Sequence, residues 1–397
     1  MSNQKLTSFN PPQRLLMGPG PSDIHPRVLA AMARPTVGHL DPAFQTMMEE
    51  IKAGLRYAFQ TENALTFPVS APGSAGMECC FVNLVEPGDT VIVIQHGAFG
   101  GRMKENVERA GGHAVLVAFE WGQPIELESV RAALETHASA KILAFVHAET
   151  STGVSAPAKE LCDLAQAHDC LTIVDCVTSL GGSELKVDEW GIDAAYSGTQ
   201  KCLSCPPGIS PVTFSERAAD KIKQRQSSVQ SWFLDLSLVM AYWDNSGGGA
   251  RTYHHTAPVN AMYALHEGLV MLQEEGLEEA QMRHHAMHQK LKAGLESLGL
   301  GLIVDESHRL SQLNTVSIPD GIDEAAVRQY VLQKYDLEIG AGLGALAGKV
   351  WRIGLMGSSA TERHVMTCLT ALEDALKAQQ YSVQDGAGTA AAMAVED

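Results

Sequence analysis

From Asn63 onward, short apolar runs alternate with stretches in which apolar residues recur every three or four positions. The runs Ala64–Val69, Thr90–Ile94, Ala114–Phe119, Ile142–Val146 and Cys170–Val174 are short and carry Val, Ile and Phe, the composition of buried strands. Between them, Met77–Val85, Leu127–Thr136 and Ala158–His168 have helical spacing. This alternation predicts an α/β fold, a mostly parallel sheet with helices on both faces. Ahead of it, Phe44, Met47, Met48, Ile51, Leu55 and Ala58 predict a helix over Pro42–Phe59, and Pro26–Met32 predicts a shorter one. The two Gly-Pro units of Gly18-Pro19-Gly20-Pro21 exclude helix and predict an extended arm. Gly38-His39-Leu40-Asp41 reads as a loop.

Two further helices, Val259–Leu272 and Leu277–Leu298, lead to a second pattern of strands (Leu302–Val304, Thr315–Ile318, Val350–Ile353) and helices (Glu324–Lys334, Ala360–Lys377). These predict a smaller α+β domain. The expected division is an arm over 1–22, a large domain over 23–280, a small domain over 281–383 and a tail over 384–397, loosely ordered or a short helix. His284, His285 and His288 are expected on the solvated side of their helix. No internal repeat is visible, and Gly340-Ala341-Gly342-Leu343-Gly344 lacks the strand–turn–helix context of a dinucleotide fingerprint.

With 397 residues, 45% hydrophobic and 19% charged, the chain has the composition of an ordinary globular protein of two domains. A net charge of -17 argues against nucleic acid or an anionic membrane as partner. No apolar run approaches the roughly 18 residues of a membrane span. The polar first ten residues lack a signal-peptide core, the C-terminus lacks a peroxisomal tripeptide, and the eight cysteines fall mostly in apolar segments. The expectation is a cytoplasmic protein with buried thiols. Cys202 and Cys205 lack a second pair at zinc-site spacing, and His254 and His255 lack a third ligand, so no metal is expected.

The candidate chemistry lies at the ends of the apolar runs. Lys201 closes the small-residue stretch Tyr196-Ser197-Gly198-Thr199-Gln200, with almost no charged neighbours. Desolvation lowers a lysine's pKa, and a neutral amine can form a Schiff base with an aldehyde; the competing reading is a strand-end lysine with its head in solvent. Asp175 ends the apolar run before it. Such a carboxylate faces the ligand crevice of an α/β sheet and can hold the ring nitrogen of pyridoxal phosphate protonated; alternatively it caps the next helix. Ser70–Gly76 is a small-residue loop opening a helix, which suits a phosphate. Phe99, among glycines at a strand end, can stack on a planar ring or serve the core. His147–Gly153 is a polar strand-end loop. Arg352, in an apolar strand, suits a carboxylate clamp or a structural ion pair. A glycine run, Gly247–Gly249, precedes the cluster Tyr253-His254-His255-Thr256.

In combination, Val174-Asp175, Ser197-Gly198-Thr199-Gln200-Lys201, Pro206-Pro207-Gly208, Tyr253-His254-His255-Thr256 and Arg352-Ile353-Gly354 make the chain resemble the class V aminotransferases of fold type I. Within that family it looks like the alanine–glyoxylate and serine–glyoxylate (serine–pyruvate) enzymes, from Leu16 to the last helix. The resemblance implies pyridoxal phosphate bound to Lys201, which shuttles the substrate proton, and Asp175 on the pyridinium nitrogen. It implies Phe99 stacked on the ring, a position often tryptophan in relatives, and Val177 on the other face. Gly73, Ser74 and Gln200 match phosphate-cradle positions, and Thr150 a hydroxyl near the ring oxygen. Tyr253 and Thr256 match residues reaching the neighbouring subunit's phosphate, which implies a homodimer with shared sites. Arg352 would grip the substrate carboxylate, with Gly38 and His39 also on the substrate side. Pro72 departs from the serine frequent in relatives, which leaves one phosphate hydrogen bond in doubt. Val187–Trp190 and Gly198–Leu203 also resemble the ureidoglycine–glyoxylate enzymes of purine breakdown. Those have glutamine at His39 and asparagine at Tyr253, so that substrate ranks second. A cysteine desulfurase of the same fold wants a cysteine in the Leu337–Gly357 region, where this chain has none.

Overall fold

In the computed structural model, residues 6–243 and 252–396 are described; Gly247–Arg251 lie outside the described residues. Seven strands form the central sheet. Their order across it is Leu65–Val69, Ser210–Phe214, Ala194–Tyr196, Leu171–Asp175, Ile142–Val146, Thr90–Gln95 and His113–Ala118. Only Ser210–Phe214 runs against its neighbours. The central strands are buried along their whole length, as sheets covered on both faces require. The parallel strands therefore deliver their C-terminal loops to one edge, where α/β sheets bind ligands.

The helices start where local chemistry says they should. Asp41 accepts a hydrogen bond from the Ala43 N–H and Pro42 takes the first turn of Pro42–Phe59. The helix after Leu65–Val69 begins at Gly73, earlier than the expected Met77, because Gly73-Ser74-Ala75 enters the helix instead of remaining a turn. Phe99 likewise lies in the first turn of the helix Ala98–Arg109. The expected strand at Leu302–Val304 is reduced to one bridge, Leu302 with Val316.

A second, smaller sheet of Leu313–Ser317, Val350–Gly354 and Gly340–Ala341 has its own apolar core. The N-terminal arm belongs to it in part: Leu15–Leu16 pairs with Leu337–Glu338, and Met17 is fully buried in this second core. The long helix Leu277–Ser297 serves both cores, with Leu277 and Ala280 in the first and Leu291 and Leu295 in the second. His284 and His288 lie on its buried face, against the expectation of solvent; only His285 is exposed. Residues Ala387–Met393 form a short helix packed on Leu277–Ser297 and Glu362–Ala378. Among the described residues, no helix is long and apolar enough to cross a membrane.

Candidate active site

Lys201 follows the strand Ala194–Tyr196 and is buried at 9% exposure. Burial, then the nearby positive charge of Arg352, lowers its pKa from 10.5 to about 8. Its Nζ donates to the carbonyl oxygen of Pro19 in the arm. Gly20 lies directly against the lysine: its φ is +104°, and a Cβ there would collide with the Lys201 side chain.

Asp175 ends the neighbouring strand, in register with Tyr196. Each of its oxygens accepts one neutral donor, the Val177 N–H on Oδ1 and the Tyr196 hydroxyl on Oδ2, both at 2.8 Å. Burial outweighs these bonds and raises its pKa from 3.8 to about 7. A buried carboxyl poised near neutrality is suited to a cationic or N–H partner that would complete its shell.

Gly73 opens its helix beside Val177 and Gly198: a Cβ there would lie 3.6 Å from both the Val177 methyl and the Gly198 Cα. Pro72, the residue preceding that helix, makes no side-chain capping bond. The first-turn N–H groups of Gly73 and Ser74 therefore remain directed outward at the positive end of a 12-residue helix. Close by, Gln200 has a buried Oε1 without a hydrogen-bond partner. An oxyanion with protonated oxygens or bridging water fits such a cradle.

Arg352 lies in the middle of Val350–Gly354, 7% exposed. Its Nε donates to Ala341 O (2.7 Å) and its Nη1 to Thr150 O (3.1 Å), both backbone carbonyls. Among the described residues no carboxylate pairs with it, so the structural ion pair considered from sequence is not formed. Burial lowers its pKa, an effect Glu149 opposes. Thr150 sits on a short hairpin, Ala148–Glu149 against Val154–Ser155, that extends from the Ile142–Val146 strand. Glu149 itself is fully buried and accepts from the Ser151 N–H and hydroxyl and from the Phe99 N–H. It thereby ties the Thr150 turn to the helix that carries Phe99. The Phe99 ring is half-buried, with the Arg102 guanidinium 4.7 Å from its centroid.

Glu149 and Tyr196 were missed by sequence reasoning. The signal for Tyr196 was weak, a hydroxyl at the end of a short apolar run. Glu149 carried a weaker one, a lone acid in a strand-end loop. Lys201, Asp175, Val177, Gly73, Gln200, Thr150 and Arg352 do converge. Gly38, His39, Tyr253 and Thr256 form a separate group. The His39 and Tyr253 rings are 5.5 Å apart, and the Tyr253 hydroxyl lies 3.4 Å from Thr256 Oγ1. His254 stacks on Trp232, and His255 bonds Ser70 Oγ at 2.7 Å. Among the described residues, no hydrogen bond or ring contact joins this group to Lys201, Asp175 or Arg352. No cluster of three or more metal-ligating side chains occurs among them either.

The chain matches the aminotransferase class-V family over residues 18–362. It belongs to that family. The family extends to solved structures with the same fold over nearly the full length. One is an alanine–glyoxylate aminotransferase from Nostoc, 47% identical at a TM-score of 0.91, covering 94% of this chain and 98% of that one. Another is the ureidoglycine–glyoxylate aminotransferase of Bacillus subtilis, 40% identical at a TM-score of 0.94, covering 98% and 99%. The alanine–glyoxylate aminotransferase of Oryctolagus cuniculus is 41% identical over 92% of this chain and 93% of its own. The fold is fold type I, and the chain is an aminotransferase.

Proposed function

We propose that this aminotransferase uses pyridoxal phosphate to move an amino group from a small L-amino acid, alanine or serine, to glyoxylate. The observation that carries this reading is Arg352: a buried guanidinium without a carboxylate partner, electrostatically coupled to a lysine of lowered pKa. A substrate carboxylate supplies the missing anion. When bound, pyridoxal phosphate supplies the electron sink for the carbanion at the substrate α-carbon.

The chain's residues do the rest. Lys201 is the residue that would hold the cofactor, and its free amine would take and return the proton at the substrate α-carbon. Burial and the charge of Arg352 lower that amine's pKa to about 8, so it gives up its proton far more readily than a solvated lysine. Asp175 would hold the proton of the ring nitrogen, and Tyr196 and Val177 fix the orientation of its carboxyl. Gly73 and Ser74 N–H groups with Gln200 bind the phosphate, and Thr150 serves the ring oxygen. Phe99 and Val177 would supply the apolar contacts to the ring. Tyr253 and Thr256 act in the neighbouring subunit's site, so the working form is a homodimer. Their separation from Lys201 within one chain supports this, as do the exposed rings of Tyr253 (60%) and Trp232 (65%). Gly38 and His39, beside Tyr253, contribute to the donor side. Eight free, buried thiols support a cytoplasmic setting.

The likeness to the Bacillus subtilis enzyme supports a second reading, ureidoglycine as donor. A half-reaction screen decides. The cofactor-loaded protein is mixed separately with alanine, serine, glycine and freshly generated ureidoglycine, and conversion to pyridoxamine phosphate is followed. Fast conversion by alanine or serine, reversed by glyoxylate, is expected; conversion chiefly by ureidoglycine replaces the first reading with the second. Lys201→Ala is expected to abolish turnover and the absorbance of lysine-bound cofactor.

A further inference from the structure

The arm does more than approach Lys201. Residues Leu15–Met17 are built into the small domain: Met17 N donates to Glu338 O (2.9 Å), and Met17 O accepts from the N–H of Gly354, which ends the Arg352 strand (2.7 Å). Five residues later the arm is bonded to the lysine loop. Ser22 N donates to Gln200 O (2.9 Å), and Ser22 Oγ to Lys201 O (2.7 Å). The helix that follows, Pro26–Met32, packs on Val259–Glu275 of the large domain. The chain therefore crosses from small to large domain between Met17 and Ser22, directly beside the lysine.

Two polar contacts tie the far side of this crossing back to the small domain. Asp23 Oδ2 pairs with His364 Nε2 at 2.8 Å, while Oδ1 accepts from the Leu16 N–H at 2.9 Å. His364 is 6% exposed and its other ring nitrogen lies 2.7 Å from Thr361 Oγ1, so its orientation is fixed. Ser359 Oγ accepts from the Asp23 N–H and donates to Leu16 O. On the lysine loop, Ser204 Oγ accepts from the Ser358 N–H at 2.7 Å and lies 3.2 Å from Ser22 Oγ. Ser204–Ser358 holds the turn Gly357–Ser359, just beyond the Arg352 strand, against the lysine loop, while Asp23–His364 holds the following helix, Glu362–Ala378, against the arm segment whose Ser22 is bonded to that loop.

We propose that Asp23–His364 and Ser204–Ser358 form a two-point clasp that sets the distance between Arg352 and Lys201. Asp23, His364 and Ser204 are then positioning residues for the substrate carboxylate. This rests on the reading of Arg352 as the carboxylate clamp. Catalysis depends steeply on such placement, since a shift of about 1 Å costs up to roughly 100-fold.

The test compares two reagents that capture lysine-bound cofactor as oximes and release the lysine, aminooxyacetate with a carboxylate and methoxyamine without one. In the cofactor-loaded protein, Asp23→Ala and Ser204→Ala are each expected to lower the preference for aminooxyacetate about 10-fold, with methoxyamine rates within about 2-fold of the parent. Asp23→Asn is expected to keep the preference, because an amide can still accept from Leu16 and donate to the other tautomer of His364. An unchanged preference in both alanine variants overturns the clasp, and so does an equal fall with both reagents. If Asp23→Ala yields no folded protein, Ser204→Ala decides alone. Arg352→Gln is the control. If it keeps the preference, the clamp reading itself is wrong; if it loses the preference while the clasp variants retain it, only the clasp fails.

Discussion

Asp175 has one neutral donor on each oxygen and almost no access to water. Its pKa is raised from 3.8 to about 7, so the carboxyl is protonated in the folded apoprotein through mildly acidic pH. The stability it contributes is fully present below pH ~4 and is lost as pH rises through 7, by up to about 1.4 kcal/mol per unit. In cofactor-free protein, the melting temperature of Asp175→Asn is therefore expected to gain on the parent between pH 5 and pH 8; a constant gap contradicts the assignment. Lys201 gives a second titration. Capture of added cofactor by the apoprotein should rise with pH about a midpoint near 8, not near the 10.5 of a solvated lysine. Lys201, Asp175 and Arg352 were legible in the sequence because each interrupts or ends an apolar run. The hydroxyl of Tyr196 on Asp175 was not, because it depends on which strands become neighbours.

Among the elements, the strand Val350–Gly354 ends with no room to spare. Gly354 lies so close to the arm that a Cβ would run into the Gly18 carbonyl oxygen. Gly354→Ala is expected to push the arm off the strand and cost about 1–3 kcal/mol. Urea unfolding measures this, and an unchanged midpoint would show that the contact yields freely. The helix Leu277–Ser297 shows where pattern reading failed. Ala280, His284, Leu291 and Leu295 share its buried face, and counting in steps of three and four from Ala280 would have placed His284 and His288 inside. Polarity suggested solvent instead. Both histidines are satisfied there, His284 by the Gly357 N–H (2.8 Å) and His288 by Asn314 (2.6 Å), and burial lowers both pKa values to about 4. They remain neutral at physiological pH and act as structural hydrogen-bonding residues.

For the whole molecule, the alternation of strands and helices made the large sheet legible. The role of the arm was not, because Gly-Pro units reveal extension but not destination. Removing residues 1–17 deletes the Leu15–Leu16 strand and the fully buried Met17. This truncation is expected to destabilise the smaller sheet and its core by about 2–5 kcal/mol, on the scale of emptying a buried methionine site. In a urea titration, preference for aminooxyacetate should disappear at lower denaturant than the absorbance of lysine-bound cofactor; simultaneous loss would mean that the two cores unfold as one. The pairing of Leu15 with Leu337 also bears on biosynthesis. The arm leaves the ribosome long before its partner strand, Leu337–Glu338, is synthesised. Closing so long a loop is entropically costly and slow. Until it closes, Pro19 and Ser22 have no fixed place beside Lys201, so a nascent chain can complete its large sheet and still lack a finished lysine pocket.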